Sequence, residues 1–360
     1  MALLPPELLR LITEYLTSNR RALYALTLAS KALRWEATRL LYSSMTATYG
    51  KLHVKFLSTI HKSPAEFAPL VRVYHLPTWH SNTGGQKDIW NLILKCLPLM
   101  VNLKELAFHK VIGSPSKIFP PLGDGCPAPF QLDKFSWTES DLSNNETYEA
   151  QALSFLETQP ELTQLYWASH RDLISTLPVN ACPKLKRLEG RTNAIRAIIP
   201  SRSVTELHWL NPWYRGQLEV LNLKGLRTLR AISIESYTYL RLLSATLAIN
   251  PLHPLSNVEA VELCIVYVRD SSHTDFEQLP AILSSFPQLK KLVITTPKGG
   301  ARYRDKYDPT SQISQLFAQL GHLKFVDFLL YPGPVYRRWV DGVLLPNLLS
   351  IDRNRILELE

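Results

Sequence analysis

The chain predicts an α/β fold: a small helical module, then a long stack of short parallel strands alternating with helices. Three observations lead there. The first forty-odd residues hold three short helix-like segments with more apolar surface than so small a unit can bury. From about residue 70 a six-residue phrase recurs, apolar at its first, fourth and sixth positions. Between the copies lie segments whose apolar residues recur at helical spacing.

The helical module comes first. Pro5 and Pro6 fix φ where a first turn begins, and Glu7 brings a carboxylate to the helix N-terminus. At 100° per residue, Leu8, Leu9, Leu11, Ile12, Tyr15 and Leu16 fall within an arc of about 160°. Arg10, Thr13 and Glu14 take the other side. Ser18 and Asn19 interrupt the pattern and offer caps to a second helix through Leu23 and Leu26. Ser30 offers a cap to a third, on which Leu33, Ala37, Leu40 and Leu41 share one face. Such a face on so short a module predicts a docking surface.

The phrase then recurs as Leu103/Leu106/Phe108, Leu132/Phe135/Trp137, Leu162/Leu165/Trp167, Val204/Leu207/Trp209, Leu229/Ile232/Ile234, Val258/Val261/Leu263, Leu289/Leu292/Ile294 and Leu323/Val326/Phe328. Leu185/Leu188 and Leu348/Ile351 are partial copies, and Leu70/Val73 begins the series. First anchors lie 29 apart (103 to 132), 30 apart (132 to 162) and 31 apart (258 to 289). Helices are expected at 88–97, 147–156, 237–249, 275–286 and 311–320. Strand, turn and helix at a period near thirty predict a right-handed solenoid, with parallel strands on the concave face and helices on the convex face. The predicted division is 1–45 helical module, 46–68 connecting helix or linker, and 69–360 solenoid.

Two family resemblances follow. Leu4-Pro5-Pro6-Glu7-Leu8-Leu9, Ile12, Leu16, then Leu26, Leu28-Ala29-Ser30-Lys31 and Arg34, resembles the F-box motif, and Glu36–Tyr42 is similar to its fungal variants. Trp35 stands a place or two later than the usual aromatic, and Ala29 replaces Val. The repeated phrase resembles the leucine-rich-repeat family in an irregular form. The Asn or Cys usual three residues beyond the third anchor is here Val111, Ser140, His170, Pro212, Tyr237, Val266, Pro297 or Tyr331. The turns must then satisfy their backbone groups otherwise.

The resemblance implies a substrate receptor of Skp–cullin–F-box ubiquitin ligases. Residues 3–44 would dock on a Skp-family adaptor, and through it a cullin ligase, while the repeats present a target protein. Leu4, Pro5, Leu8, Leu9 and Ile12 are the expected central adaptor contacts, with Leu16, Leu26 and Leu28 partly in the module's core. In the solenoid reading, side chains flanking the middle anchor face the concave side and are the expected target contacts. They are Glu105, Lys134, Gln164, Tyr166, Arg187, Glu206, His208, Glu262, Lys291 and Asp327. Their alternating charge suits a protein epitope. The segments 78–86, 113–129 and 298–308 are long for such connections and extend that surface. Other readings are an F-box-type scaffold outside a ubiquitin ligase and a basic repeat protein binding nucleic acid.

Composition bounds these readings. Apolar residues make up 46 % of the chain and allow a sizeable core. No apolar run nears the roughly 18 residues that span a bilayer. Pro5, Pro6, Glu7 and Arg10 interrupt any secretion signal, so the cytosol or nucleus is the expected compartment. Cys96, Cys126, Cys182 and Cys264 are scattered, which fits reduced thiols rather than disulfides or a zinc site. The net charge of +9 is diffuse, +3 in residues 1–50 and +6 in the rest, unlike a nucleic-acid arm. Lys298, Arg302, Arg304 and Lys306 form its densest group and read as a solvated loop.

Motifs for chemistry are missing. Gly123-Asp124-Gly125 begins like a dinucleotide fingerprint, but Pro127 and Pro129 stand where its helix would start. His75 with His80, or His170 with Arg171, has no carboxylate at a defined spacing to make an acid–base pair. Trp137, Trp167 and Trp209 stand at third anchors and read as core. The expectation is a protein without enzymatic activity, cofactor or metal.

Overall fold

The computed structural model describes residues 5–17, 19–46, 50–76, 86–109, 117–119, 128–138, 145–210, 224–234, 255–264, 272–295, 309–330, 335–351 and 357. The fold is mixed α/β with a mostly parallel sheet. It divides into two compact units, residues 1–166 with 181–183, and residues 167–180 with 184–360. Neither boundary falls at residue 45 or 68, so the first three helices belong to the first unit.

In that unit α1 (Pro6–Tyr15) starts at Pro5, whose carbonyl accepts the amides of Leu8 and Leu9 at 3.0 and 3.1 Å. The expected caps are in place. Asn19 Oδ1 accepts the Ala22 amide at 3.1 Å to open α2 (Arg20–Ala29). Ser30 Oγ accepts the Ala32 amide at 3.2 Å to open α3 (Lys31–Ser43). Leu23, Ala37 and Leu40 form the centre of this helical group, ringed by Leu16, Leu26 and Leu41. Arg20 donates to the carbonyls of Leu41 and Ser44, both at 3.0 Å, and so closes the end of α3.

The sheet begins earlier than the repeated phrase suggests. β1 (Ser44–Met45) follows α3 directly and pairs in parallel with β2 (Val73–His75). Residues 46–68 contain α4 (Gly50–Lys62) and α5 (Pro64–Phe67). α4 buries His53, Phe56, Leu57 and Ile60. Behind it lies α6 (Gln86–Cys96), where Cys96 Sγ donates to the Leu57 carbonyl at 3.4 Å. β3 (Glu105–Phe108) and β4 (Lys134–Trp137) continue the parallel order, followed by α7 (Asn145–Glu157) and β5 (Gln164–Trp167). Register aligns Tyr74 with Leu106. The first copy is therefore Val71/Tyr74/Leu76, all buried, and not Leu70/Val73; a slip of one residue reverses which side chains face the core.

The second unit runs β6 (Arg187–Gly190), α8 (Thr192–Ile198), β7 (Glu206–Trp209), β8 (Ala231–Ile234), β9 (Ala260–Cys264), α9 (Ser272–Leu283), β10 (Lys291–Thr295), α10 (Thr310–Gln319) and β11 (Phe325–Leu330). β6 to β11 pair in parallel and in sequence order. The partial copy Leu185/Leu188 is completed by Gly190, because a Cβ there would stand 3.0 Å from Ala194 Cβ and 3.2 Å from the Trp167 carbonyl oxygen. Leu348/Ile351 is not a copy. After β11 the chain turns antiparallel through β12 (Val335–Val340), β13 (Val343–Leu344) and β14 (Leu349–Ser350). Asp341 and Gly342, with φ of 48° and 85°, make the left-handed two-residue turn into β13.

Anchors at all three positions are buried, Trp137, Trp167 and Trp209 among them, and Trp209 Nε1 donates to Thr192 Oγ1 at 3.2 Å. At the strand entries the backbone forms a ladder of its own. The Arg72 carbonyl accepts the amides of Lys104 and Glu105, and the Lys104 carbonyl those of Asp133 and Lys134. In the second unit the carbonyls of Thr205, Arg230, Glu259 and Lys290 each accept two amides from the next strand entry. The entry turns thus satisfy their own backbone groups; of the positions three residues past the third anchors, only His170 is among the described residues. The helices expected at 88–97, 147–156, 275–286 and 311–320 are α6, α7, α9 and α10, with ends shifted by one to three residues. That at 237–249 lies outside the described residues.

Candidate functional site

Two surfaces hold the residues singled out from sequence. The first is the outer face of α1 and α2. The α1 stripe outnumbers the partners available to it. Leu16 reaches the Leu23–Ala37–Leu40 centre, Leu9 is half-buried, and Leu8 and Ile12 remain 45 % and 46 % exposed. Leu11 and Tyr15 beside them are more open still. Pro5 is exposed, and Leu4 lies outside the described residues. Leu26 packs on the centre as expected, whereas Leu28 does not: it is 67 % exposed. Two residues along a helix turn the side chain through about 200°, which carries Leu28 away from the core and stacks it one turn after exposed Tyr24. Trp35 on α3 is exposed too. Tyr24 was not among the expected contacts, although its place four residues before Leu28 was a readable signal.

The second surface is the sheet face opposite the anchors. In the first unit, parallel register lines up Val73, Glu105 and Lys134 in one row and His75, Ala107 and Ser136 in the next. Glu105 Oε1 accepts from His75 Nε2 at 2.8 Å and from Lys134 Nζ at 3.0 Å. Burial works to raise the Glu105 carboxyl, but these two hydrogen bonds and the Lys134 charge outweigh it and bring it down to about 2. A carboxylate therefore does stand beside His75, supplied by the neighbouring strand and invisible to any local motif. Gln164 and Tyr166 are half-buried.

In the second unit the expected face is largely shut. Arg187 and Glu206 pair at 4.0 Å and keep some exposure, and His208, nearly buried, lies 3.6 Å from Glu189. Glu262, Lys291 and Asp327 are buried, at 3 %, 2 % and 0 % exposed, and with His208 they are not open target contacts. Asp327 accepts from Arg338 Nε at 2.7 Å and Nη2 at 2.9 Å, with Lys291 Nζ at 3.7 Å. Thr295 donates to Glu262 at 3.3 Å. Two things cover this part: the antiparallel strand β12, which brings Arg338 across from Asp327, and Ile351 and Leu357, which pack on Val293 and Tyr336. The sequence periodicity contains no sign of that return.

Of the remaining candidates, Cys96 is buried, which pushes its thiol up to about 11, and Cys182 donates to the Leu156 carbonyl at 3.5 Å. His170 Nδ1 accepts from Arg191 at 2.9 Å. Among the described residues no group of three or more His, Cys, Asp or Glu is placed to hold a metal ion, and no helix is long and apolar enough to cross a membrane. The segments 78–85, 113–116, 120–127 and 298–308 lie outside the described residues, as do His80, Cys126 and the Gly123–Gly125 turn; in β9 the same holds for the Cys264 side chain. No family model matches the chain, and no curated protein matches it.

Proposed function

We propose that this chain is the target-recognition subunit of a Skp–cullin–F-box ubiquitin ligase, with α1–α3 as an F-box-like module and the strand-bearing remainder as an irregular leucine-rich-repeat solenoid. One observation carries the reading: Leu8, Leu11, Ile12 and Tyr15 form an apolar strip on α1 that this chain leaves uncovered among the described residues. A strip of that kind favours a protein partner. Its Leu-Pro-x-Glu-Leu-Leu opening is what makes a Skp-family adaptor the partner of choice. The sheet face of the first unit, with its half-exposed charges, is the surface for a target. In this role the chain performs no chemistry. It raises the effective concentration of target lysines near a ubiquitin-conjugating enzyme held elsewhere in the assembly.

The test is co-expression with a Skp-family adaptor, followed by size-exclusion chromatography. The parent chain is expected to co-elute with the adaptor, and the double variant Leu8→Asp, Ile12→Asp to elute alone. Both substitutions sit on exposed positions, so the thermal unfolding of the variant should match the parent. A folded double variant that still co-elutes refutes the docking face.

A further inference from the structure

The target-binding reading leaves open what the first unit's face would recognise, and one cluster there is built in more detail than a solvated surface requires. His75 on β2, Glu105 and His109 on and just after β3, and Lys134 on β4 project from three consecutive strands. Each is only partly exposed. Between them lie Ala107 and Ser136, small residues that are buried although they point away from the anchors. These two are shut off from solvent, and the open part of the cluster is the partly exposed ends of the long side chains.

The charges are uneven. Both His75 Nε2 and Lys134 Nζ converge on the same oxygen, Oε1, of Glu105. The His109 ring meets the His75 ring edge-on at 5.6 Å. Three basic groups thus surround one carboxylate, and Lys134 retains donors that Glu105 does not use. Burial, and then the charges of His75 and Lys134, hold His109 below the usual imidazole range, so an arriving anion would draw a proton onto it.

We propose that His75, His109 and Lys134 form an acid-accepting subsite that holds a carboxylate side chain of the recognised polypeptide at their partly exposed polar ends. The presence of Glu105 favours a single carboxylate from a protein over a phosphate polymer, whose dense negative charge it would repel. The inference rests on the target-binding reading of this face and not on the adaptor.

The test uses the full chain in complex with its adaptor, or the full chain alone if none binds. A library of random twelve-residue peptides is selected on it, and affinities are measured for parent, Lys134→Glu and His109→Gln. The subsite predicts selected peptides with Asp or Glu at one fixed position. It predicts about tenfold weaker binding to Lys134→Glu, recovered when that peptide position becomes Lys. His109→Gln, which leaves the Glu105 bonds intact, guards against misfolding and should weaken binding several-fold. Selection without a fixed acidic position overturns the proposal, as does unchanged affinity in both variants. Equal binding of a thymidine oligonucleotide, with the same sensitivity to Lys134→Glu, overturns the polypeptide assignment. Adaptor co-elution of the parent chain separates the two readings: a parent that binds adaptor but selects no acidic peptide sinks the subsite, and a parent that selects acidic peptides but does not bind adaptor sinks the ligase role.

Discussion

Replacing Asp327 by alanine should cost the second unit more than any other single change at its charged residues. The side chain is wholly buried, and both carboxylate oxygens are engaged by Arg338, at 2.7 and 2.9 Å, with Lys291 Nζ 3.7 Å away. Removing one partner of a buried pair costs about 3–5 kcal/mol, because the charge left behind has neither water nor counter-ion. Here two cations lose their shared carboxylate, one of them only 2 % exposed, and the other contacts each keeps hold Asp327→Ala to the lower end of that range, about 3 kcal/mol. Arg338→Met leaves the Lys291–Asp327 contact standing and keeps a long side chain, so about 1–3 kcal/mol is expected. Converting all three to apolar residues should return stability to within about 2 kcal/mol of the parent, since these three charges then no longer have to be desolvated. Urea unfolding followed by circular dichroism and tryptophan fluorescence reads the order: parent, triple variant, Arg338→Met, Asp327→Ala. A loss below about 1 kcal/mol for Asp327→Ala, or a worse outcome for Arg338→Met, would show that the buried network does not carry this load.

Two glycines give a graded steric test. At Gly225 a Cβ would lie 1.9 Å from the Ile199 carbonyl oxygen, whereas at Gly190 the nearest atom is 3.0 Å away. Both alanine variants should be destabilised, Gly225→Ala by about 3 kcal/mol and Gly190→Ala by about 1 kcal/mol; thermal melts in the reverse order contradict the packing described. Acid should act through Glu105. Its folded pKa, about 2, lies below the ordinary 4.5, so it contributes stability above pH 4.5 that fades as pH falls toward 2. Because the group is partly exposed the contribution is held to about 1–2 kcal/mol. Glu105→Gln should flatten the stability curve across that window, and a variant with the parent's slope would disprove the assignment.

Much of the architecture was legible because it is written in local spacing. Asn19 and Ser30 cap the helices they precede, since a side-chain oxygen two or three residues before an orphan amide needs no distant partner. Anchors from Leu103 to Phe328 are buried as their two-residue alternation implies. The Gly at position 190 was readable only as a gap, and its cause, the Ala194 side chain and the Trp167 carbonyl, comes from packing.

Sequence by itself determined the alternation of strands and helices, the caps and the surplus of apolar residues on α1, because each depends on neighbours within a few residues. Tertiary structure alone decided which charges meet and which stay open. His75 finds Glu105 across thirty residues of chain, and Arg338 closes on Asp327 because β12 reverses direction. The position of a charged residue in the phrase fixes the face it occupies. Whether solvent reaches it depends on what folds back over that face, and such long-range contacts leave no local period.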